Sequence, residues 1–97
     1  MTTYVLLLNW TEQGIRSGKD SPRRLDAAKR ALTDRGAKFQ SVYRTVCDFD
    51  LVRVVEAPDD DVAARFALML GMLGNVRMRT LKAFPEQAYR EIINSLL

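Results

Sequence analysis

The sequence predicts an α+β sandwich in which two helices cover one face of a four-stranded antiparallel sheet. Apolar runs of strand length alternate along the chain with amphipathic stretches of helix length. Two of these runs, 38–45 and 50–56, follow each other closely, which indicates an antiparallel hairpin. A chain of 97 residues has room for one core, so we expect one domain over residues 1–97.

The first half of the chain predicts a strand and a helix. The apolar run Tyr4–Trp10 predicts the first strand, and residues 11–20 predict a short helical turn or loop. Ser21 as a cap and Pro22 at the first helical position predict the start of helix one. Gly36 predicts its end in the left-handed region.

The second half predicts three strands and two helices. Strand two runs from Lys38 to Thr45, with one face predicted to carry Phe39, Ser41 and Tyr43 and the other Gln40, Val42 and Arg44. Strand three is Asp50–Glu56, and an acidic start at 59–61 precedes helix two, which ends before Gly74. Strand four spans Val76–Phe84, and after Pro85 comes a final helix with an apolar stripe at Tyr89, Ile92, Ile93 and Leu96.

The predicted order is therefore β-α-β-β-α-β with an added C-terminal helix. Two right-handed β-α-β crossovers that share one antiparallel sheet define a ferredoxin-like fold.

The composition excludes several classes of site. With no histidine, a Ser-His-Asp triad and His-ligated metal or haem centres are impossible, and we expect no metal and no cofactor. The single Cys47 forms no internal disulfide, which fits a reducing cytoplasm. No apolar run is long enough to span a membrane, and the start lacks a basic signal sequence, so we expect a cytoplasmic protein. The net charge of +3 is spread along the chain, which is only weak support for nucleic-acid binding.

Apolar residues occupy both faces of the predicted sheet. In strand one, Leu6 and Leu8 point to one side while Val5 and Leu7 point to the other. Strand three alternates in the same way, with Leu51, Arg53 and Val55 on one side and Val52 and Val54 on the other. Because the helices cover one face only, a second copy packed sheet on sheet would cover the other. We therefore expect a homodimer or a higher oligomer.

The chain resembles the GYD domain family. The resemblance rests on Asn9-Trp10-Thr11-Glu12-Gln13-Gly14, Lys19-Asp20-Ser21-Pro22, Glu56-Ala57-Pro58-Asp59-Asp60 and Leu73-Gly74-Asn75-Val76-Arg77. The family's Gly-x-Tyr-Asp turn stands here as Cys47-Asp48-Phe49-Asp50, with only the aspartate kept. The family is similar to dimeric α/β barrel proteins, which implies a ferredoxin-like subunit whose sheet packs against a partner's sheet. The resemblance assigns no biochemical activity.

Seven polar or aromatic strand residues are candidates for binding a ligand in a pocket between the two sheets. Arg77 and Arg79 share one face, and two arginines can clamp a carboxylate or phosphate. Asp50 is a general acid or base if it is buried, or a cap of the turn if it bonds backbone amides. The full set is Asn9, Trp10, Tyr43, Asp50, Arg53, Arg77 and Arg79.

These observations favour a small-molecule module that binds or senses an anionic ligand. The alternative is a cofactor-free enzyme that uses Asp50 and arginines in the same pocket, although the lack of histidine favours binding over catalysis. An RNA-binding module is a weaker third hypothesis, because strand three lacks the aromatic residues that stack on bases.

Overall fold

The computed structural model describes residues 1–96. Its elements are β1 Thr2–Trp10, α1 Glu12–Arg16, a 3-10 turn Gly18–Asp20, α2 Ser21–Asp34, β2 Lys38–Arg44, β3 Leu51–Ala57, α3 Asp60–Met72, β4 Val76–Ala83 and α4 Glu86–Asn94. The four strands form one antiparallel sheet in the order β2-β3-β1-β4. This order confirms the predicted ferredoxin-like α+β fold, with the C-terminal helix added.

The core lies between the sheet and helices α2 and α3. Strand β1 points Tyr4, Leu6 and Leu8 into it, and each of these side chains is almost completely buried. The helices contribute Ala28 and Leu32 from α2 and Ala63 and Phe66 from α3. This side of the sheet is called the helix-covered face below.

The opposite side of the sheet is called the open face. It carries Val5, Leu7 and Asn9 of β1, Val52 and Val54 of β3, Arg77, Arg79 and Leu81 of β4, and Ser41 and Tyr43 of β2. Val5 lies between Val54 and Leu81 in the strand register, and Leu7 lies beside Val52, so the apolar side chains form a continuous band. All of these residues keep some exposure to solvent in the single chain.

The predicted alternation is correct for β1 and β3 but wrong for β2. The register of β2 shifts between Phe39 and Ser41, where Phe39 lies beside Val55 and Ser41 beside Val54. A β-bulge adds one residue to a strand and so reverses the alternation beyond it. Phe39 therefore lies on the helix-covered face, edge-on to Phe66 with the ring centroids 6.1 Å apart, whereas Ser41 and Tyr43 lie on the open face.

The start of α2 also differs from the prediction. Ser21 is the first residue of the helix rather than its cap, and the preceding Asp20 makes no side-chain capping bond. The 3-10 turn continues directly into the helix, so the residues just before Ser21 are already helical. Gly36, with φ of 76°, ends the helix region in the left-handed conformation as predicted.

Helix α4 has no buried residue. Its apolar stripe, continued by Leu96, remains between 43% and 67% exposed at Tyr89, Ile92, Ile93 and Leu96. The helix therefore does not cover the open face within its own chain. None of the helices in residues 1–96 combines the length and apolarity needed to cross a membrane.

Cys47 adopts a backbone conformation that favours glycine. It is exposed and has φ of 74°, and it is the one described non-glycine residue with positive φ. A Cβ atom in this region clashes with the backbone, at a cost of about 1–2 kcal/mol. Cys47 stands where the family turn has its glycine, so the conformation explains that preference.

We predict that Cys47→Gly stabilises the protein by roughly 0.5–1 kcal/mol, because relief of the strain exceeds the added freedom of the unfolded chain. Urea denaturation measures the free energy of unfolding. Cys47→Ala is the matched control, since it removes the thiol and keeps the Cβ atom. An equal gain in both variants would assign the effect to the thiol rather than to the backbone.

Tyr4 connects the sheet to the start of α3. Its buried hydroxyl donates a hydrogen bond to Asp60 Oδ1, and Lys82 Nζ of β4 lies 3.3 Å from Asp60 Oδ2. Burial and the bond to Asp60 raise the pKa of Tyr4 to about 12. The same hydrogen bond, together with Lys82, lowers the pKa of Asp60.

We expect this contact to make stability fall at alkaline pH. Between about pH 10, where an unfolded tyrosine ionises, and about pH 12, the folded state keeps a proton that the unfolded state has lost. The free energy of unfolding therefore decreases as pH rises through this interval. In Tyr4→Phe this part of the decrease is absent, as denaturant titrations at several pH values would show. Identical slopes in both proteins would contradict the assignment.

Candidate functional site

A cavity of about 330 Å³ lies between α2, the C-terminal part of α3 and the helix-covered face of the sheet. Its wall is mainly apolar, with contributions that include Trp10, Ala28, Leu51, Met69, Leu70 and Val76. The α2 side of this wall consists largely of alanines, whose short side chains leave the space between helix and sheet unfilled. The volume falls within the range of small-molecule sites.

The side chain of Arg53 is buried at this cavity. Arg53 lies on β3 between Leu6 and Val42 in the register, and it is 6% exposed. Its Nε is buried and, among residues 1–96, has no hydrogen-bond partner. The guanidinium carbon lies 5.7 Å from the centre of the Phe39 ring, a cation–π contact that supplies neither a hydrogen bond to Nε nor a negative charge. A buried charge without a partner is costly, so this arginine needs an explanation beyond packing.

A second arginine, Arg24 of α2, lines the same cavity. Its Nη1 donates to the carbonyl and hydroxyl oxygens of Ser17, at 2.9 and 3.0 Å, and its Nη2 donates to the Gly14 carbonyl at 3.1 Å. Burial, and then the nearby charge of Arg24, lower the pKa of Arg53. Among the described residues that line the cavity there is no carboxylate to balance the two positive charges.

The seven candidates from the sequence do not form one site on a single chain. Trp10 and Arg53 line the cavity. Asn9, Tyr43, Arg77 and Arg79 lie on the open face, where Asn9 is beside Arg77 in the register. The shared face of Arg77 and Arg79 is as predicted, and both are exposed to solvent.

Asp50, the remaining candidate, directly precedes β3 at the end of the sheet. Its Oδ2 accepts the backbone N–H of Trp10 at 2.9 Å, and its own N–H donates to the Leu8 carbonyl and to Asn9 Oδ1. Thr45 donates its backbone N–H to the Asp50 carbonyl. This pattern joins the β2–β3 turn to the end of β1, and the Asp50 carboxylate bonds a backbone amide of β1 rather than one of its own turn.

Two of the segments that resemble the family meet beside the cavity. Thr11 Oγ1 donates to the Gly74 carbonyl at 2.5 Å, and the Thr11 N–H donates to the Asn75 carbonyl at 3.1 Å. Gln13 Nε2 donates to Asn75 Oδ1 at 3.0 Å. A Cβ atom on Gly14 would lie 1.9 Å from the Asn75 carbonyl oxygen, so only glycine allows this approach. The contacts fix the neighbouring residue Trp10, and Asn75 itself, in the cavity wall.

Sequence reasoning did not identify Arg24, Ser21 or Asn75 as members of a site. In the sequence pattern, Arg24 lies on the polar side of a predicted helix, and Ser21 and Asn75 lie at the boundaries of predicted elements. The available signal was a set of alanines at helical spacing on α2, at positions 27, 28 and 31, all of which line the cavity. Their small side chains predict either that α2 packs closely on the sheet or that a space between them stays unfilled. Only the distance between α2 and the sheet in the folded chain decides between these two outcomes.

The fold and the cavity together define a ferredoxin-like α+β domain: a sheet covered on one face by two helices, with an apolar cavity and a buried arginine between them. The model of the GYD domain family matches residues 4–93. The chain therefore belongs to the GYD domain family.

A relative from Thermus thermophilus has a descriptive name. The two chains are 33% identical over 86 residues, which covers 88% of this chain and 90% of the relative. The relative is named "Glutamine synthetase and cystathionine beta-lyase binding protein".

Proposed function

We propose that this chain is a self-associating binding module that senses a small anionic molecule and binds another protein. Self-association rests on the open face, anion binding rests on Arg53, and protein binding is supported by the name of the Thermus relative. The sensing function depends on one observation: Arg53 is buried, and no carboxylate among the described lining residues balances its charge. The single Cys47 fits a reducing compartment, so we infer that the module acts in the cytoplasm.

The open face supports pairing with a second copy. Its apolar band crosses three strands, with Val5, Val54 and Leu81 in one row and Leu7 and Val52 in the next. Contiguous apolar patches of this kind on small domains mark interaction surfaces. A two-fold axis through the band would place each row against its equivalent in the second copy. The homodimer would then enclose a space near Asn9, Arg77 and Arg79.

The stripe of α4 supports the same assembly. β4, which forms one edge of the open face, ends at Ala83, and α4 begins three residues later at Glu86. The stripe is therefore connected to the edge of the apolar band by a very short segment. A partner sheet that covers the band brings a surface close to α4, and burial of Ile92 and Ile93 there would remove further apolar area from water.

The residues that support a sensing function lie at the cavity on the helix-covered face, not in a pocket between two sheets. Arg53 and Trp10 line the cavity, whereas Arg77 and Arg79 are exposed on the open face. The alternative of an enzyme based on Asp50 gains no support from the geometry, because the Asp50 carboxylate accepts a backbone N–H at the sheet end. The arrangement favours binding over catalysis.

We predict that the wild-type chain has about twice its monomer mass of 11.0 kDa, or a higher multiple, by light scattering on a size-exclusion column. Leu7→Asp places a charge in the centre of the apolar band and is expected to give the monomer mass, because an unpaired buried charge costs several kcal/mol. Circular dichroism of the variant checks that the subunit remains folded.

The matched control is Leu68→Asp, on the exposed side of α3, where the side chain is 68% exposed. This variant should keep the wild-type mass. A wild-type chain of monomer mass at micromolar concentration would overturn self-association through the open face.

We further predict direct binding to a metabolic enzyme of the kind in the relative's name. Purified glutamine synthetase and cystathionine β-lyase from Thermus thermophilus are the defined probes, and the Thermus relative is the positive control. Light scattering of mixtures should show a complex with at least one of the two enzymes. Complexes with the relative but none with this chain would overturn the protein-binding part of the proposal.

A further inference from the structure

We propose that the cavity between α2, α3 and the sheet is a binding site for an amphipathic carboxylate, whose apolar body fills the cavity and whose carboxylate pairs with Arg53. This inference rests on the anion-sensing part of the proposed function and names its ligand class. It does not depend on whether two sheets meet, because the cavity lies on the opposite face of the sheet from the open face.

The lining of the cavity indicates an apolar ligand body. Most of its surface comes from side chains such as Ala28, Leu51, Met69, Leu70 and Val76. Inorganic phosphate or acetate would leave this surface in contact with water or empty space. A ligand with a hydrocarbon or aromatic body would cover it, which is favourable in proportion to the apolar area removed from water.

Arg53 indicates an anionic head group. It is 6% exposed, its Nε has no hydrogen-bond partner among the described residues, and no described carboxylate lines the cavity with it. A guanidinium offers parallel N–H donors that match the two oxygens of a carboxylate. A ligand carboxylate in the cavity would therefore supply the missing negative charge, by pairing with the terminal nitrogens of the guanidinium rather than with the fully enclosed Nε.

The available donors favour a carboxylate over a phosphate. Both terminal nitrogens of Arg24 already donate to oxygens of Ser17 and Gly14. Arg53 therefore remains as the main uncommitted cation, which suits a single negative charge. A phosphate monoester carries nearly two negative charges and three strong acceptor oxygens, and it would need more donors than one guanidinium provides.

The size of the cavity limits the ligand. Its volume of about 330 Å³ lies near the lower end of the range of small-molecule sites, which favours a small ligand. This matches a medium-chain fatty acid or a small aromatic carboxylic acid. A long-chain fatty acid would have to extend beyond the cavity.

Trp10 provides the readout, since it lines the cavity and is the single tryptophan of the chain. Octanoate titrated into the intact protein should change the Trp10 emission in a saturable way and raise the melting temperature. Three probes test the two parts of the ligand: 1-octanol keeps the apolar body without the charge, acetate keeps the charge without the body, and octyl phosphate changes the head group. Each should bind at least about tenfold more weakly than octanoate.

Arg53→Met tests the role of the guanidinium, because methionine keeps much of the side-chain length and removes the charge. We expect octanoate binding to weaken by about tenfold or more. We also expect the ligand-free variant to melt higher than the wild type, by about 4 °C or more, since a buried unpaired charge is replaced by an apolar group. A purely structural arginine would give the opposite change in melting temperature. Arg23→Met, at an exposed position of the same helix as Arg24, is the matched control and should leave both measurements unchanged.

The outcomes separate this inference from the proposed function. If acetate binds as well as octanoate and both depend on Arg53, anion sensing stands and the amphipathic ligand is wrong. Tighter binding of octyl phosphate would overturn the carboxylate head in the same way. If none of the anions binds, or if Arg53→Met leaves their binding unchanged, the site itself and anion sensing at Arg53 are both overturned.

Discussion

The fold depends on the pairing of β1 with β3 on one side and β4 on the other. This central strand is apolar on both faces, so it stabilises the sheet only when both faces are covered. Helices α2 and α3 cover Tyr4, Leu6 and Leu8 within the chain. The other side of the same strand, with Val5 and Leu7, has no such cover within residues 1–96. The composition of β1 is therefore the basis of the proposed self-association.

The core on the helix-covered face is also incompletely packed, because it contains the cavity beside α2. Large side chains from α3 such as Phe66 fill one part of the core, whereas the alanines of α2 leave the cavity open in another. Burial, and then the nearby charge of Arg24, lower the pKa of Arg53, because both disfavour the charged form. A site that is both unfilled and electrostatically unsatisfied gives up stability in the free protein, as binding sites commonly do.

The sequence was sufficient to predict most of the fold because alternation and capping residues act locally. The two faces of β1 and β3 follow from a period of two, and Gly36 marks the end of the α2 region through its positive φ. The β2 prediction failed because the bulge near Phe39 has no marker residue. The cavity was not predictable, because it depends on the spacing between α2, α3 and the sheet. Alternation placed Arg53 beside Leu51 and Val55, but only the assembled core shows that its Nε lacks a partner.

The strand order also bears on how copies of the chain can associate through the sheet edges. β2 and β4 form the two edges of the sheet, where unpaired backbone groups invite strands from other molecules. Both edges carry positive charges, at Lys38 and Arg44 on β2 and at Arg77, Arg79 and Lys82 on β4. Like charges on approaching edges repel each other and disfavour endless β-ribbons. Growth by strand addition is thus opposed, while contact between faces can close after a finite number of subunits.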